Sequence, residues 1–354
     1  MSDSATSDSA TRTPPVTTDD YSGGVDHSRQ PAWRALVRWE AALVVVLVAV
    51  ILFGSGESAT FLSANTFFFA GLNMGEIGIM ALPMLLIVMI GEIDLSVASM
   101  LGLSGAVMGR LYNGGHSVWL SMLVALLVGA AGGALNGVLV SRLRLPSIAV
   151  TIGTLTLFRG VAEILLPNPT TRLFPTSLTT DFGISSIPGL HLPYSAAIFV
   201  VLAILAAVML HATPFGRSLY AIGLQPEAAQ FSGIRIDRIR FGLYVLSGLL
   251  CALAGILFTL KNASASYSAG LGLELNVVAI VLFGGVSIFG GKGTVLGVFL
   301  SVVVVGALQQ ALTQMNVQAE IQNIVTGGLL LVSVVIPNGG EAIRRLRARR
   351  HRRA

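Results

Sequence analysis

One cysteine, Cys251, is all that 354 residues contain, and a lone thiol excludes both a disulfide framework and a cysteine-based metal cluster. It lies inside an apolar run and reads as a small buried side chain. Charge is scarce as well. Asp, Glu, Lys and Arg together make up 11% of the chain, whereas a soluble domain carries about 25%. The five histidines, His27, His116, His191, His211 and His351, are scattered mostly over termini and loops. These residues assemble no metal set, no nucleophile with its base and no cofactor motif, which argues against a membrane-embedded enzyme. Gly291-Lys292 invites comparison with a phosphate-binding loop, but the pattern GxxxxGK followed by Ser or Thr puts Val286 at its first glycine and Gly293 at its hydroxyl residue. ATP hydrolysis by this chain is therefore not expected.

What the chain has in excess is apolar residues, 54%, and their distribution predicts an all-α integral membrane protein. A span needs about 20 residues to cross roughly 30 Å of hydrocarbon. Runs near that length define about ten: 35–54, 67–90, 95–112, 118–141, 148–166, 194–211, 241–260, 274–290, 294–314 and 320–337. Residues 1–32, rich in Ser, Thr, Asp and Pro, cannot bury enough surface to offset ordering entropy and are expected to form a disordered tail. Arg34 and Arg38 before the run 41–53 have the outline of a signal peptide. No small-residue cleavage site follows, so the run reads as a retained first span of a membrane domain covering 33–338. Alternating the loops puts 18 of the 22 Lys and Arg on the side holding both termini, leaving Arg110, Arg159, Arg172 and Lys261. The positive-inside rule then makes both termini cytoplasmic. The basic tail 339–354 is expected to lie on the anionic surface of the lipid bilayer rather than on nucleic acid, despite the net charge of +5.

On this topology residues 213–240 form a cytoplasmic loop, the longest polar interruption on the basic side. Pro226 stands where the first turn of a helix accepts proline, Glu227 falls in its positive first turn, and Gly233 is placed to end it. The resulting helix of about two turns is too short to be stable alone. Either it lays one face in a partner's groove, or it is an ordinary connector. The longest external loop, 167–193, caps the pathway, receives a soluble partner, or is a plain surface loop.

Polar groups inside apolar sequence are costly and mark function or pairing. Glu92 and Asp94 stand at the break before the third span, where Asp94 and Ser96 either cap the helix or serve transport. Arg159 and Glu163, four residues apart, are expected to neutralise one another. Glu76 has no such neighbour and faces either a wet cavity or the break. Gly129, Gly133 and Gly137 in the fourth span, and Gly293 and Gly297 in the ninth, predict close helix packing.

Several of these segments carry a resemblance. Glu227-Ala228-Ala229, three residues and Gly233 resemble the EAA-x-x-x-G loop of permease subunits in ATP-binding-cassette (ABC) importers. Gly91-Glu92-Ile93-Asp94-Leu95-Ser96, with Val150-Thr151-Ile152-Gly153-Thr154 and Arg159-Gly160, resembles the GGIDLS and VTLGT-x-x-x-x-RG signatures of ribose-type sugar ABC permeases. Gly290-Gly291-Lys292-Gly293-Thr294 is similar to that family's GG-x-G-T turn. Glu92 departs from the pattern, standing where the family has its second glycine. The resemblance covers residues 67–338. It implies a permease of the bacterial cell membrane, paired with a second permease subunit, identical or homologous, beside a cytoplasmic ABC ATPase and an external sugar-binding protein. The ATPase-coupling residues would be Pro226, Glu227, Ala228, Ala229 and Gly233. The translocation-pathway candidates are Glu76, Asp94, Ser96, Thr151, Thr154, Arg159, Glu274 and Asn276. The tract Ile79–Pro83 and the pair Gln309-Gln310 look most like permeases for rhamnose or the furanosyl autoinducer, with ribose and xylose as alternatives.

Two further readings stand beside it. Asp94-Leu95-Ser96-Val97 before Gly105 parallels Glu274-Leu275-Asn276-Val277 before Gly285, which predicts an inverted five-plus-five repeat. The rival function is a proton-coupled secondary transporter with Glu76, Asp94 and Glu163 as relay groups. Such a carrier needs no docking loop.

Overall fold

A computed structural model describes residues 39–169, 173–318, 320–328 and 331. The expected tails 1–32 and 339–354 lie outside these residues. The helices are α1 (Trp39–Glu57), α2 (Ala64–Met89), α3 (Val97–Asn113), α4 (Val118–Ser141), α5 (Ser147–Leu165), α6 (Thr176–Leu178), α7 (Tyr194–Ala212), α8 (Pro214–Leu224), α9 (Pro226–Phe231), α10 (Ile236–Lys261), α11 (Leu273–Phe283) and α12 (Val295–Gln314). Residues 320–328 are also helical. No strand occurs among the described residues, which hold only an isolated bridge between Ser186 and Pro193.

Seven helices, α1, α2, α4, α5, α7, α10 and α12, are long and apolar enough to cross a membrane. Of the other expected spans, α3 has 17 residues and α11 has 11, and the run 320–337 extends past the described residues. The expected span 274–290 stops at Phe283 for a local reason. Gly284 caps it and Gly285 follows at φ 84°, a conformation that a side chain disfavours. The Trp39 ring occupies the place where a side chain of Gly285 would stand, and its Nε1 donates to the Phe283 carbonyl at 2.6 Å.

The centre of the bundle is α2, in which every residue from Met74 to Met89 is buried. A helix that is apolar all round belongs at the core. Its 26 residues extend about 39 Å at ~1.5 Å per residue. Antiparallel to it runs α10, also 26 residues: Arg240 near its start meets Glu92 just beyond α2, while Lys261 at its end meets Glu76. The glycine stripe of α4 meets α10, as its spacing predicts. A Cβ on Gly133 would lie 2.2 Å from the Tyr244 carbonyl oxygen, and one on Gly129 would lie 2.5 Å from that of Gly248. Of the pair Gly293 and Gly297 only the second packs helix to helix, because Gly293 precedes α12; a Cβ on Gly297 would lie 2.1 Å from the Gly284 carbonyl oxygen. Thr294 caps that helix, accepting from the Gly297 amide at 3.0 Å.

Packing is exchanged between the two central helices. α4 packs on α10 and on α3, the helix after α2, whereas α12 packs on α2 and on α11, the helix after α10. The segment 173–193 and the pair α8–α9 occupy opposite poles. Gly183 abuts the end of α10 at Leu260 and Pro193 abuts Gly71, while Gly223 of α8 abuts Met89 at the other end of α2.

Candidate functional site

The α8–α9 pole begins with an N-terminal signal that the sequence holds in plain view. Thr213 accepts from the Gly216 amide at 3.4 Å and Pro214 takes the first helical position, the favoured arrangement for a helix start. After α8 the chain turns at Gln225 into α9, six residues with Pro226 at its first position and Glu227 in its first turn. Its six residues are close to the expected two turns, and it is preceded by a second helix, α8, that was not expected. Gly233 has φ 84°, as its terminating role requires, and the Ile234 amide donates back to the Ala229 carbonyl at 3.1 Å.

Only Ala229 of α9 is buried. Phe231 is 93% exposed and Leu224, at the end of α8, is 68% exposed. Two grooves flank α9. One of about 640 Å³ is bordered by Glu227, Gln230, Arg144, Arg235, Arg238 and Arg240. The other, about 470 Å³, runs between α8 and α9 beside Arg217, Ser218 and Ala228.

Beneath this pole three backbones are in contact. The Gly291 amide donates to the Met89 carbonyl at 2.8 Å, and the Tyr220 hydroxyl of α8 donates to the Gly293 carbonyl at 2.8 Å. A Cβ on Gly223 would lie 2.0 Å from the Met89 oxygen and 2.2 Å from the Gly291 nitrogen. The Gly290-Gly291 turn thus serves as the seat of α8 at the end of α2.

Asp94, 3% exposed, sits just inside this pole. Its Oδ1 accepts from the Ser96 amide at 3.0 Å and the Ser96 hydroxyl at 2.6 Å, and its Oδ2 accepts from Ser247 of α10 at 2.8 Å. Asn136 of α4 donates to Ser96 Oγ at 2.8 Å. A buried carboxylate needs such donors, and here they tie the α2–α3 break to α4 and α10. Thr151 fastens the same break from α5. Its hydroxyl reaches the Ile93 and Ser147 carbonyls at 3.3 and 2.8 Å, and Ser147 Oγ accepts from the Ile93 amide at 3.3 Å. Thr154 is buried one turn on and bonds the Thr151 carbonyl at 3.4 Å. Glu92, the departure from the expected motif, pairs with Arg240 at 3.1 Å.

The expected pair Arg159–Glu163 does not form. Glu163 is exposed, and the Arg159 guanidinium instead donates to the Tyr267 carbonyl, the Ala269 carbonyl at 2.8 Å and the Ala98 carbonyl at 3.3 Å. The physical reason is donor number. A guanidinium carries five N–H groups, the carbonyls after α10 need partners, and a local i,i+4 pair contributes only about 0.2–0.5 kcal/mol. Gly102 makes room, since a Cβ there would lie 2.5 Å from the guanidinium. Glu274 lies in the first turn of α11, and Asn276, two residues on, is half-buried. Glu76 faces neither a wet cavity nor the break. It accepts from Lys261 Nζ at 3.0 Å, and that ammonium also reaches the Leu72 carbonyl at 3.2 Å.

Residues 67–334 match the family model described as branched-chain amino acid transport system / permease component. The chain belongs to this permease family. Among its relatives, the L-arabinose ABC transporter permease protein AraH of Azospirillum brasilense is 34% identical over 295 residues, 82% of this chain and 86% of that one. The autoinducer 2 import system permease protein LsrD of Escherichia coli K12 is 33% identical over 303 residues, 84% and 91% of the two chains. The protein of the same name from Shigella flexneri gives the same figures. No solved structure matches.

Within this permease, the sequence pointed to α9 but missed the exposed Phe231 and the Glu76–Lys261 pair. A large apolar side chain two residues after Glu227-Ala228-Ala229, inside a segment expected to be a polar loop, was the available signal for the first. The partners of the second are 185 residues apart, and no local pattern reveals them.

Proposed function

We propose that this chain is the membrane-spanning subunit of an ATP-driven importer for a small neutral sugar, working as a pair of permease subunits with a cytoplasmic ATPase and an external sugar-binding protein. The observation that carries the proposal is α9. A six-residue helix bearing a side chain 93% exposed, between two grooves, is a surface shaped for a partner. Membership of a permease family supports reading that partner as the importer's ATPase, with Pro226, Glu227, Ala228, Ala229 and Gly233 as its coupling residues. The names of the relatives, for L-arabinose and autoinducer 2, support the sugar class, with rhamnose, ribose and xylose in the same range.

In this reading the α8–α9 pole and both termini are cytoplasmic, and the pole of residues 173–193 faces the binding protein. The exchanged packing of α4 and α12 supports two inverted halves. Asp94, Ser96, Thr151, Thr154 and Arg159 act as the frame that positions α2, α10 and the break, Glu76 fastens α2 to α10 through Lys261, and Glu274 and Asn276 lie toward the pathway. A proton relay through Glu76, Asp94 and Glu163 is less well supported: each has its own setting, on α2, at the break and on the outside of α5.

The test is uptake of labelled sugar into vesicles. It should require both ATP and the partner ATPase, with no ATP hydrolysis by the permease alone. Uptake by the lone chain driven by a pH gradient would overturn the proposal.

A further inference from the structure

Between α2 and α12 lies a cavity of about 150 Å³ whose polar wall is made of Asn73, Gln309, Gln310, Thr313 and Gln322. The rest of its lining is apolar, and no charged side chain borders it. Gln322 is held in place, its amide donating to the Val317 carbonyl at 2.9 Å and to Thr313 Oγ1 at 3.3 Å. The side-chain amides of Asn73, Gln309 and Gln310 have no hydrogen-bond partner among the described residues. Asn73 is exposed although the sixteen residues after it, Met74 to Met89, are all buried. An unpaired carboxamide facing lipid is costly, so groups placed like this are expected to line water or a ligand. The cavity lies in the half of α2 away from the α8–α9 pole, beside the last turns of α12.

A carboxamide presents two N–H donors next to an acceptor oxygen, and a hydroxyl both donates and accepts. Adjacent amides on one wall therefore match a molecule carrying several neighbouring hydroxyls. They offer no counter-charge to an ammonium or carboxylate group, and the ionised pair Glu76 with Lys261 does not border the cavity. We propose that this amide-lined cavity is a subsite that contacts the transported molecule through its hydroxyl groups, with Asn73, Gln309 and Gln310 as specificity-determining side chains. The proposal rests on the permease reading above and narrows it: within a family whose description includes branched-chain amino acids, this site selects neutral polyols over zwitterions.

Two measurements test it. In cells making the chain with its ATPase and binding protein, uptake of L-arabinose, D-ribose, D-xylose and L-rhamnose is compared for wild type, Gln309→Leu, Gln310→Leu and Gln310→Asn, with L-leucine as the zwitterionic comparison. Each leucine variant should lose about tenfold in uptake of the accepted sugar, as expected for one unmatched buried hydrogen-bonding group. It should also change the ratio between sugars, and Gln310→Asn should recover part of the loss. Wild-type sugar uptake with unchanged rates and ratios in the leucine variants overturns the subsite and leaves the permease reading intact. Wild-type uptake of L-leucine in place of every sugar overturns both. The second measurement does not depend on transport. In a Cys251→Ala background, Gln309→Cys in membrane vesicles should react with a water-soluble methanethiosulfonate and be protected by the accepted sugar. A thiol that never reacts, or reacts equally with and without all four sugars, overturns the subsite.

Discussion

Lys261 Nζ stands 3.0 Å from Glu76 Oε2, with the two side chains 14% and 2% exposed, and the contact pins the end of α10 to the middle of α2. At the other end of the same helix Arg240 holds Glu92, so the fastenings lie roughly 30 Å apart at ~1.5 Å per residue. Between them Ser247 donates to Asp94. The two central helices are held together along nearly their whole shared length.

Breaking the buried pair on one side only should be strongly destabilising, by about 3–5 kcal/mol, because an uncompensated charge stays in the core. Lys261→Met is thus expected to lower the thermal midpoint of the purified protein in detergent well below that of Glu76→Gln/Lys261→Met, which removes both charges. Equal midpoints for the single and double variants would show that the pair is not held as described.

Gly233→Val tests the conformation that ends α9. A Cβ there meets nothing within 4 Å, so the penalty is conformational, roughly 1–2 kcal/mol for a side chain in the left-handed region. Membrane abundance should hold while the ATPase co-purifies less, with Gln225→Ala as the surface control. Equal recovery of the ATPase with both variants would remove support for docking through α9.

Phe231→Ser takes away the exposed ring and buries nothing new. Thermal stability should stay within about 0.5 kcal/mol of wild type, as for ordinary surface changes, while ATPase association falls at least severalfold. Retained association with retained uptake would mean the ring is not a contact.

How much of this was legible beforehand varies by region. The apolar runs placed most helices to within a few residues because length and hydrophobicity decide insertion, but they could not show that the run 274–290 breaks at Gly284-Gly285. The α4 glycines foretold a close neighbour but not which one, since spacing fixes a face and not its partner. Gly233 was readable because only glycine suits its backbone conformation. α8 was hidden because it lies along the surface as a polar-faced helix and breaks no apolar run. Arg159 and Glu76 misled because a sequence displays neighbours at four residues and conceals carbonyls and cations from across the fold.

Orientation is open to a direct test. A reporter fused after Ala354 should be active only in the cytoplasm, and a tag inserted between Pro175 and Pro188 should be reached from outside. The reverse pattern at either place would mean that the span count is in error.

Gly223→Ala should disturb the seat of α8, since the new methyl would stand 2.0 Å from the Met89 oxygen. Overpacking of this kind typically costs about 1–3 kcal/mol. The expected result is an intact bundle with weakened transport, read as normal abundance and sugar uptake reduced several-fold. Unimpaired uptake would show that the contact is not needed.

Main chain touching main chain at Gly223, Met89 and Gly291 has a mechanical consequence. Side chains in contact can yield by hopping between rotamers, so a joint made of them has play. A joint of bare backbone has none: a displacement of α8 must carry the end of α2 and the Gly290-Gly291 turn with it, or open a gap that breaks the Gly291–Met89 hydrogen bond. If α9 docks a partner as proposed, a stroke applied there would arrive at the core helix undamped.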